Sequence, residues 1–249
     1  MTMLKMTISL KNLKEIADLL NTVVTEAKFK VTPEGLSVKA VDPAHVAMVS
    51  MEIPRGAFVE YTTDGEEELA IDVERVKSVI KLASPNDLVT MSRDGGKLRF
   101  EISTIVKSIS LLDNNSVTTP RVPQINSESY VVVSKGNLER GLKAAEDVSD
   151  SIRLTLNGQE LRARSVSDSE ESEMILPKDM LKEIKCSQTI KSSYPLEYLL
   201  KLVKSLSSAE DIKLSFKDDY PLTIEFKFGQ SKESESISGN FLLAPRMEQ

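Results

Sequence analysis

Apolar positions along the chain follow two periods, and the switches between them mark out its elements. A short apolar run at 6–10 leads into residues 12–24, where Leu13, Ile16, Ala17, Leu19 and Leu20 fall on one side of a helix. The period then drops to two. Residues 29–31, the turn Thr32-Pro33-Glu34-Gly35 and residues 36–41 predict a β-hairpin, and residues 48–53, closed by Pro54, a third strand. A second helix is expected over 73–83. Strands follow over 88–92 and 98–103, joined at Asp94-Gly95-Gly96-Lys97.

The same order then starts again. A strand at 130–134 precedes a helix at 137–148, and a hairpin over 152–156 and 161–166 turns at Asn157-Gly158. A third strand at 173–176 stops before Pro177; a helix over 195–206 and strands at 211–215 and through Leu222, Ile224, Phe226 and Phe228 complete the set. Asn12-Leu13 recurs as Asn137-Leu138, and Val89, Met91 and Ser92 recur as Ile212, Leu214 and Ser215. A repeat of this length is one structural unit used twice. Hairpins and helices with one apolar face each define an α+β class, two similar domains of antiparallel sheets with two helices apiece. The expected boundaries are a domain at 1–112, a connector at 113–129 and a domain at 130–249. The connector has Asn114-Asn115-Ser116, Thr118-Thr119-Pro120 and Pro123 but no periodicity, and reads as exposed chain.

Composition narrows the chemistry. With 249 residues and 40% of them apolar, the chain can build its core without covalent staples. No apolar run reaches the length of a bilayer, and residues 1–10 lack the pattern of a secretory signal, so the expected place is inside the cell and off the membrane. The 32 Lys and Arg against 38 Asp and Glu leave a net charge of −6, the wrong sign for a protein that coats nucleic acid. Any DNA contact must come from local charge. His45 is the only histidine and Cys186 the only thiol, which excludes the common zinc sites and a Cys–His pair. No catalytic residue and no cofactor is expected, and Cys186 reads as a small buried hydrophobe. Asp94-Gly95-Gly96-Lys97 joins two strands instead of opening a helix, so it is a hairpin turn and not a phosphate loop. Glu66-Glu67-Glu68 and residues 168–173 read as solvated loops; a Mg²⁺-dependent enzyme, the weaker alternative, would need such carboxylates to converge.

Basic pairs stand one turn apart on all four helices: Lys11/Lys14, Lys77/Lys81, Arg140/Lys143 and Lys201/Lys204. Asp18, Glu146 and Asp147 share the faces of the first and third, which favours a plain solvated surface there. The second and fourth read as cleaner.

The run from Glu34 through Asp42-Pro43-Ala44-His45-Val46 closely resembles the first-domain signature of the proliferating cell nuclear antigen family, particularly its archaeal forms. Phe241-Leu242-Leu243-Ala244-Pro245-Arg246 resembles that family's closing strand and tail. Lys191-Ser192-Ser193-Tyr194, Glu197-Tyr198-Leu199 and Tyr220-Pro221-Leu222 resemble further segments. The resemblance implies a DNA sliding clamp: three subunits closed head to tail into a pseudo-sixfold ring, helices lining the hole, with a seam between strands near 104–112 and 171–176. A ring of identical subunits is implied first, with sister subunits as the variant. The eight basic residues above would meet duplex DNA without reading sequence. A partner pocket would be lined by Val41, His45, Val46, Met48, connector residues Val122 and Ile125, then Pro221, Leu243, Ala244 and Pro245. It would take short aromatic-anchored peptides of DNA polymerase, clamp loader, flap endonuclease and DNA ligase. The implied setting is the archaeal cytoplasm beside the nucleoid, or a nucleus in a eukaryote. The competing reading is a clamp-like peptide-binding scaffold that does not encircle DNA.

Overall fold

The computed structural model describes residues 3–123, 125, 127–231 and 234–246. Its elements run β1 Leu4–Ser9, α1 Leu10–Val23, β2 Glu26–Thr32, β3 Gly35–Val41, β4 Ala47–Pro54, β5 Glu60–Thr63, β6 Glu67–Asp72, α2 Val73–Ile80, β7 Leu88–Asp94, β8 Lys97–Ile102 and β9 Ile105–Ser110. They continue with β10 Tyr130–Ser134, α3 Lys135–Ala144, β11 Ser151–Asn157, β12 Glu160–Val166, β13 Glu171–Pro177, β14 Glu183–Lys185, β15 Ile190–Pro195, α4 Leu196–Ser205, β16 Asp211–Ser215, β17 Leu222–Phe228 and β18 Ile237–Leu243. A single 3-10 turn follows both β4 and β13. The second set repeats the first element by element.

Local chemistry sets the element ends. Ser9 accepts a hydrogen bond from the Asn12 backbone and opens α1 two residues before the apolar stripe suggests, while Asp72 accepts one from Arg75 N at 2.9 Å to start α2. Gly35, at φ 141°, closes the first hairpin. A Cβ there would stand 2.2 Å from the Ile53 carbonyl oxygen, so only glycine fits between β3 and β4. The four helices end earlier than their apolar periodicity, at Val23, Ile80, Ala144 and Ser205; Val24 is already extended, and the chain turns after Ile80 and Ala144.

Contacts gather the chain into two compact units. The first comprises the chain through Pro43, Met48–Val122 and Lys227–Gly239; the second comprises Ala44–Ala47, Pro123–Phe226 and the chain from Asn240. In the first unit the strands order as β5-β1-β7-β8-β9 and β4-β3-β2-β6; in the second, as β13-β12-β11-β15 and β14-β10-β16-β17. All the pairings are antiparallel, as in Val38↔Met51 and Leu161↔Leu176. Leu19 and Leu20 of α1 and Leu138 and Leu142 of α3 are fully or almost fully buried. Each contributes about 1.5–3 kcal/mol of apolar burial.

Several expectations change. Glu67 and Glu68 lie on β6, not in a solvated loop: Glu67 pairs with Arg93 and Glu68 with Lys28, because the backbone of β6 is taken up by β2. Of residues 168–173, only the first three turn; Glu171 and Glu173 belong to β13 and pair with Arg164 and Arg162. Cys186 is half-buried and donates to the Gln188 carbonyl at 2.8 Å, so it is not a core hydrophobe. The start of the expected connector is fastened down. Asn114 Oδ1 accepts from Ala70 N at 3.0 Å, Asn114 Nδ2 donates to Glu68 O at 2.9 Å, and Leu112 N donates to Ala70 O at 2.8 Å. These bonds cover the outer edge of β6.

Candidate functional sites

The part of the expected partner pocket that lies within the second unit is organised around residues 244–246. Ala244 N donates to Val46 O at 2.8 Å, and Arg246 N donates to Ser193 O at 2.7 Å. The Arg246 guanidinium stands 2.7 Å from Asp150. These three contacts lay residues 244–246 across the end of β15 and the 44–47 loop. Beneath them Tyr194, with no exposure, meets Phe216 edge to face at 6.3 Å and donates its hydroxyl to the Tyr220 carbonyl at 2.8 Å. Burial pushes the Tyr194 hydroxyl up, so it stays a neutral donor. Ser127 donates to Phe216 O at 2.8 Å and ties the end of the expected connector to that same residue.

Two loops of this unit carry non-glycine residues in the left-handed region: His45 at φ 57° and Asp219 at φ 48°. Such a conformation costs about 1–2 kcal/mol. Tertiary bonds hold it: Asp219 N donates to Lys191 O at 3.4 Å, and Val46, next to His45, is bonded to the tail. His45 is exposed, and Val46, Ile125, Pro221, Ala244 and Pro245 are half-buried, an apolar surface that a ligand can reach. Leu243 differs from expectation. It is fully buried, so its side chain is not part of that reachable surface. Val41 and Met48 face each other in the β3–β4 register of the first unit, both half-buried, as is Val122. Sequence reasoning missed Asp150, Arg246 and Asn114 as anchors. An arginine after the closing strand and an asparagine in a turn were the available signals.

The basic helix faces are mixed. Lys11, Lys14, Lys81, Arg140 and Lys201 are exposed and enter no ion pair among the described residues. Lys77 on α2 stands 2.9 Å from Asp18 on α1, and Lys204 on α4 stands 3.6 Å from Glu146 beyond α3. The second and fourth helices are therefore no cleaner than the others, since α1 and the turn after α3 supply the carboxylates. Lys143 shares Glu139 with Lys135, at 2.9 and 2.7 Å, and the hydrogen bonds from Lys135 and then Lys143 hold the Glu139 carboxyl below its usual range. The faces nonetheless remain rich in long cationic side chains able to swing from a weak surface pair to a phosphate.

A repeated α+β unit of antiparallel sheets with two helices each has the fold class of the DNA clamps. The model of the N-terminal domain of proliferating cell nuclear antigen matches residues 3–108, and that of its C-terminal domain residues 121–245. A DNA polymerase sliding clamp of Picrophilus torridus is 68% identical over 246 residues, covering 99% of this chain and 100% of the relative. That of Thermoplasma acidophilum is 59% identical over 247 residues, with the same coverage. Among solved structures, the antigen from Thermococcus kodakaraensis superposes with a TM-score of 0.88 at 26% identity, covering 98% of this chain and 100% of the other. The A. fulgidus protein bound to the C-terminal region of FEN-1 gives 0.91 at 24% identity, with 99% of each chain covered. The chain belongs to the proliferating cell nuclear antigen family of archaeal-type DNA sliding clamps, and like that family it is a scaffold and not an enzyme. Among the described residues no group of three or more His, Cys, Asp or Glu is placed to hold a metal ion.

Proposed function

We propose that three copies of this chain close head to tail into a ring that encircles duplex DNA and tethers DNA polymerase and other replication and repair proteins to it. The observation that carries this reading is the repeat of element order combined with the sheet edges at β9 and β13. β9 ends the sheet β5-β1-β7-β8-β9, and β13 ends the sheet β13-β12-β11-β15. Their counterparts in the repeat are β18 and β4. Ile237–Gly239 of β18 belongs to the first unit, and β18 and β4 are neighbours in strand order. The same strand order, taken between copies, would pair β9 with β13. A heterologous contact of this kind closes a ring when its rotation is right, and it removes both edges from water. Lys107 on β9 and Glu171 and Glu173 on β13 give the two strands opposite charge.

In this ring the helices face DNA. Lys11, Lys14, Lys81, Arg140 and Lys201, with Lys77, Lys143 and Lys204 released from their carboxylates, attract phosphate without reading bases. Residues 113–129 act as the connector between domains at 1–112 and 130–249, and the recess takes an aromatic-anchored segment of a partner. The A. fulgidus protein bound to a flap-endonuclease tail supports that use, and the archaeal relatives support a cytoplasmic, nucleoid-associated setting. The test is retention on DNA. The purified chain should weigh three subunits in solution and, once loaded, stay longer on circular than on linear DNA. Lys81→Glu with Lys204→Glu should shorten residence several-fold and reduce its salt dependence, while an aromatic-anchored peptide still binds. A stable monomer, or equal residence on circular and linear DNA, would leave the peptide-binding scaffold as the function.

A further inference from the structure

The first unit contains a cavity that neither DNA nor a partner peptide uses. It lies between α1, α2 and the inner faces of the two sheets, among Leu13 and Ala17 of α1, Val76 of α2, Phe29, Met91 and Phe100, and its volume is about 50 Å³. Each of these side chains is buried, from Phe100 with no exposure to Phe29 with 8%. The whole lining consists of Met, Ile, Leu, Val, Ala and Phe. A water molecule there would find no hydrogen-bonding side chain, and a cavity with apolar walls stays dry although it is large enough for water. An empty apolar cavity is a site for an apolar guest, because filling it restores dispersion contacts that its walls lack.

We propose that this cavity binds one small, uncharged apolar species, of the size of a xenon atom or a light hydrocarbon. Volume sets the upper limit. An engineered apolar cavity of about 150 Å³ accepts benzene, and this one has about a third of that space, so benzene is excluded. Ala17 is the residue that leaves the room: its short side chain lines the cavity from the centre of α1, between the turns that carry Leu13 and Leu20. A guest that binds only the folded first unit stabilises it by mass action. The cavity lies on the inner side of the two helices whose outer faces carry Lys11, Lys14, Lys77 and Lys81, so the guest would stiffen their seat.

The experiment uses crystals of the full chain pressurised with xenon, and methyl NMR of the same protein in solution. Anomalous density for xenon between Ala17 and Phe100, with methyl shifts at Leu13 and Val76 but not at Leu154 and Leu200 of the second unit, is the expected result. Ala17→Val, which adds bulk within the cavity, should reduce xenon occupancy, and Ala17→Leu should abolish it. Should Ala17→Leu fail to fold, the Ala17→Val comparison decides. Ordered water in the cavity, no xenon in the unmodified chain, equal shifts in both units, or binding of benzene would each overturn the proposal.

Discussion

Tyr61 illustrates how one side chain fixes a turn. Its hydroxyl donates to Thr32 O at 2.7 Å and is also within 3.0 Å of Gly35 O, so it clasps both ends of the first hairpin turn. Burial pushes its pKa up to about 12, with Glu34 and Glu67 adding to the rise against Arg55. The sign is that of a neutral acid favoured by folding: the contribution is whole below the unfolded value of 10.0 and is lost as the pH climbs toward 12. Stability measured by urea titration should therefore fall across that window. Tyr61→Phe should cost about 0.5–1.5 kcal/mol near neutrality and flatten the alkaline loss, though not abolish it, because burial raises Tyr194 as well. An unchanged alkaline slope would assign the loss to other groups.

Among the elements, the two first helices show how a repeat diverges. α1 buries Ile16, whereas α3 has Gly141 at the corresponding place, and Met174 of β13 fills the notch. A Cβ on Gly141 would lie 2.2 Å from the Met174 sulfur and 2.9 Å from its Cβ. Gly141→Ala should accordingly destabilise the second unit by about 1–3 kcal/mol, even though alanine is the better helix former by about 1 kcal/mol. Adding Met174→Ala should recover much of that loss in a double-mutant cycle. Additive losses would mean that the two residues do not share the notch. The same divergence explains what sequence pattern could show. The paired helices and the hairpins at 29–41 and 152–166 were legible because their apolar periods are clean. β6 opens with two glutamates, β14 has three residues, and β15 hides Ser192 and Ser193 in the interior, so none of these announces a strand. The recess was legible only through family resemblance. Its anchors, Arg246 on Asp150 and Tyr194 on Tyr220, join residues too far apart in sequence for any period to link them.

For the whole molecule, the proposed assembly is tested at the sheet edges β9 and β13. On β9, Val106 is 56% exposed, whereas Ile109 is 6% exposed and packs inward opposite Leu98. The two residues therefore separate association from folding. Val106→Asp should convert the proposed trimer to smaller species by light scattering, with an unchanged circular dichroism spectrum. Ile109→Asp should lower the folded fraction itself, because a carboxylate would be carried into the core at a cost of several kcal/mol. A Val106→Asp chain that keeps the full mass would place the seam elsewhere.

In the proposed ring each head-to-tail joint uses one β9 and one β13, so damage to one leaves the other competent. A chain altered only on β9 can still offer β13 to an intact neighbour, join a growing arc, and leave it unable to close. In a mixed population such chains act as terminators and not as bystanders. With random incorporation, closed three-membered rings decline as the third power of the intact fraction, so a minority of defective subunits removes a disproportionate share of working clamps. A ring built from one kind of chain with unlike ends would be sensitive to the quality of every copy made.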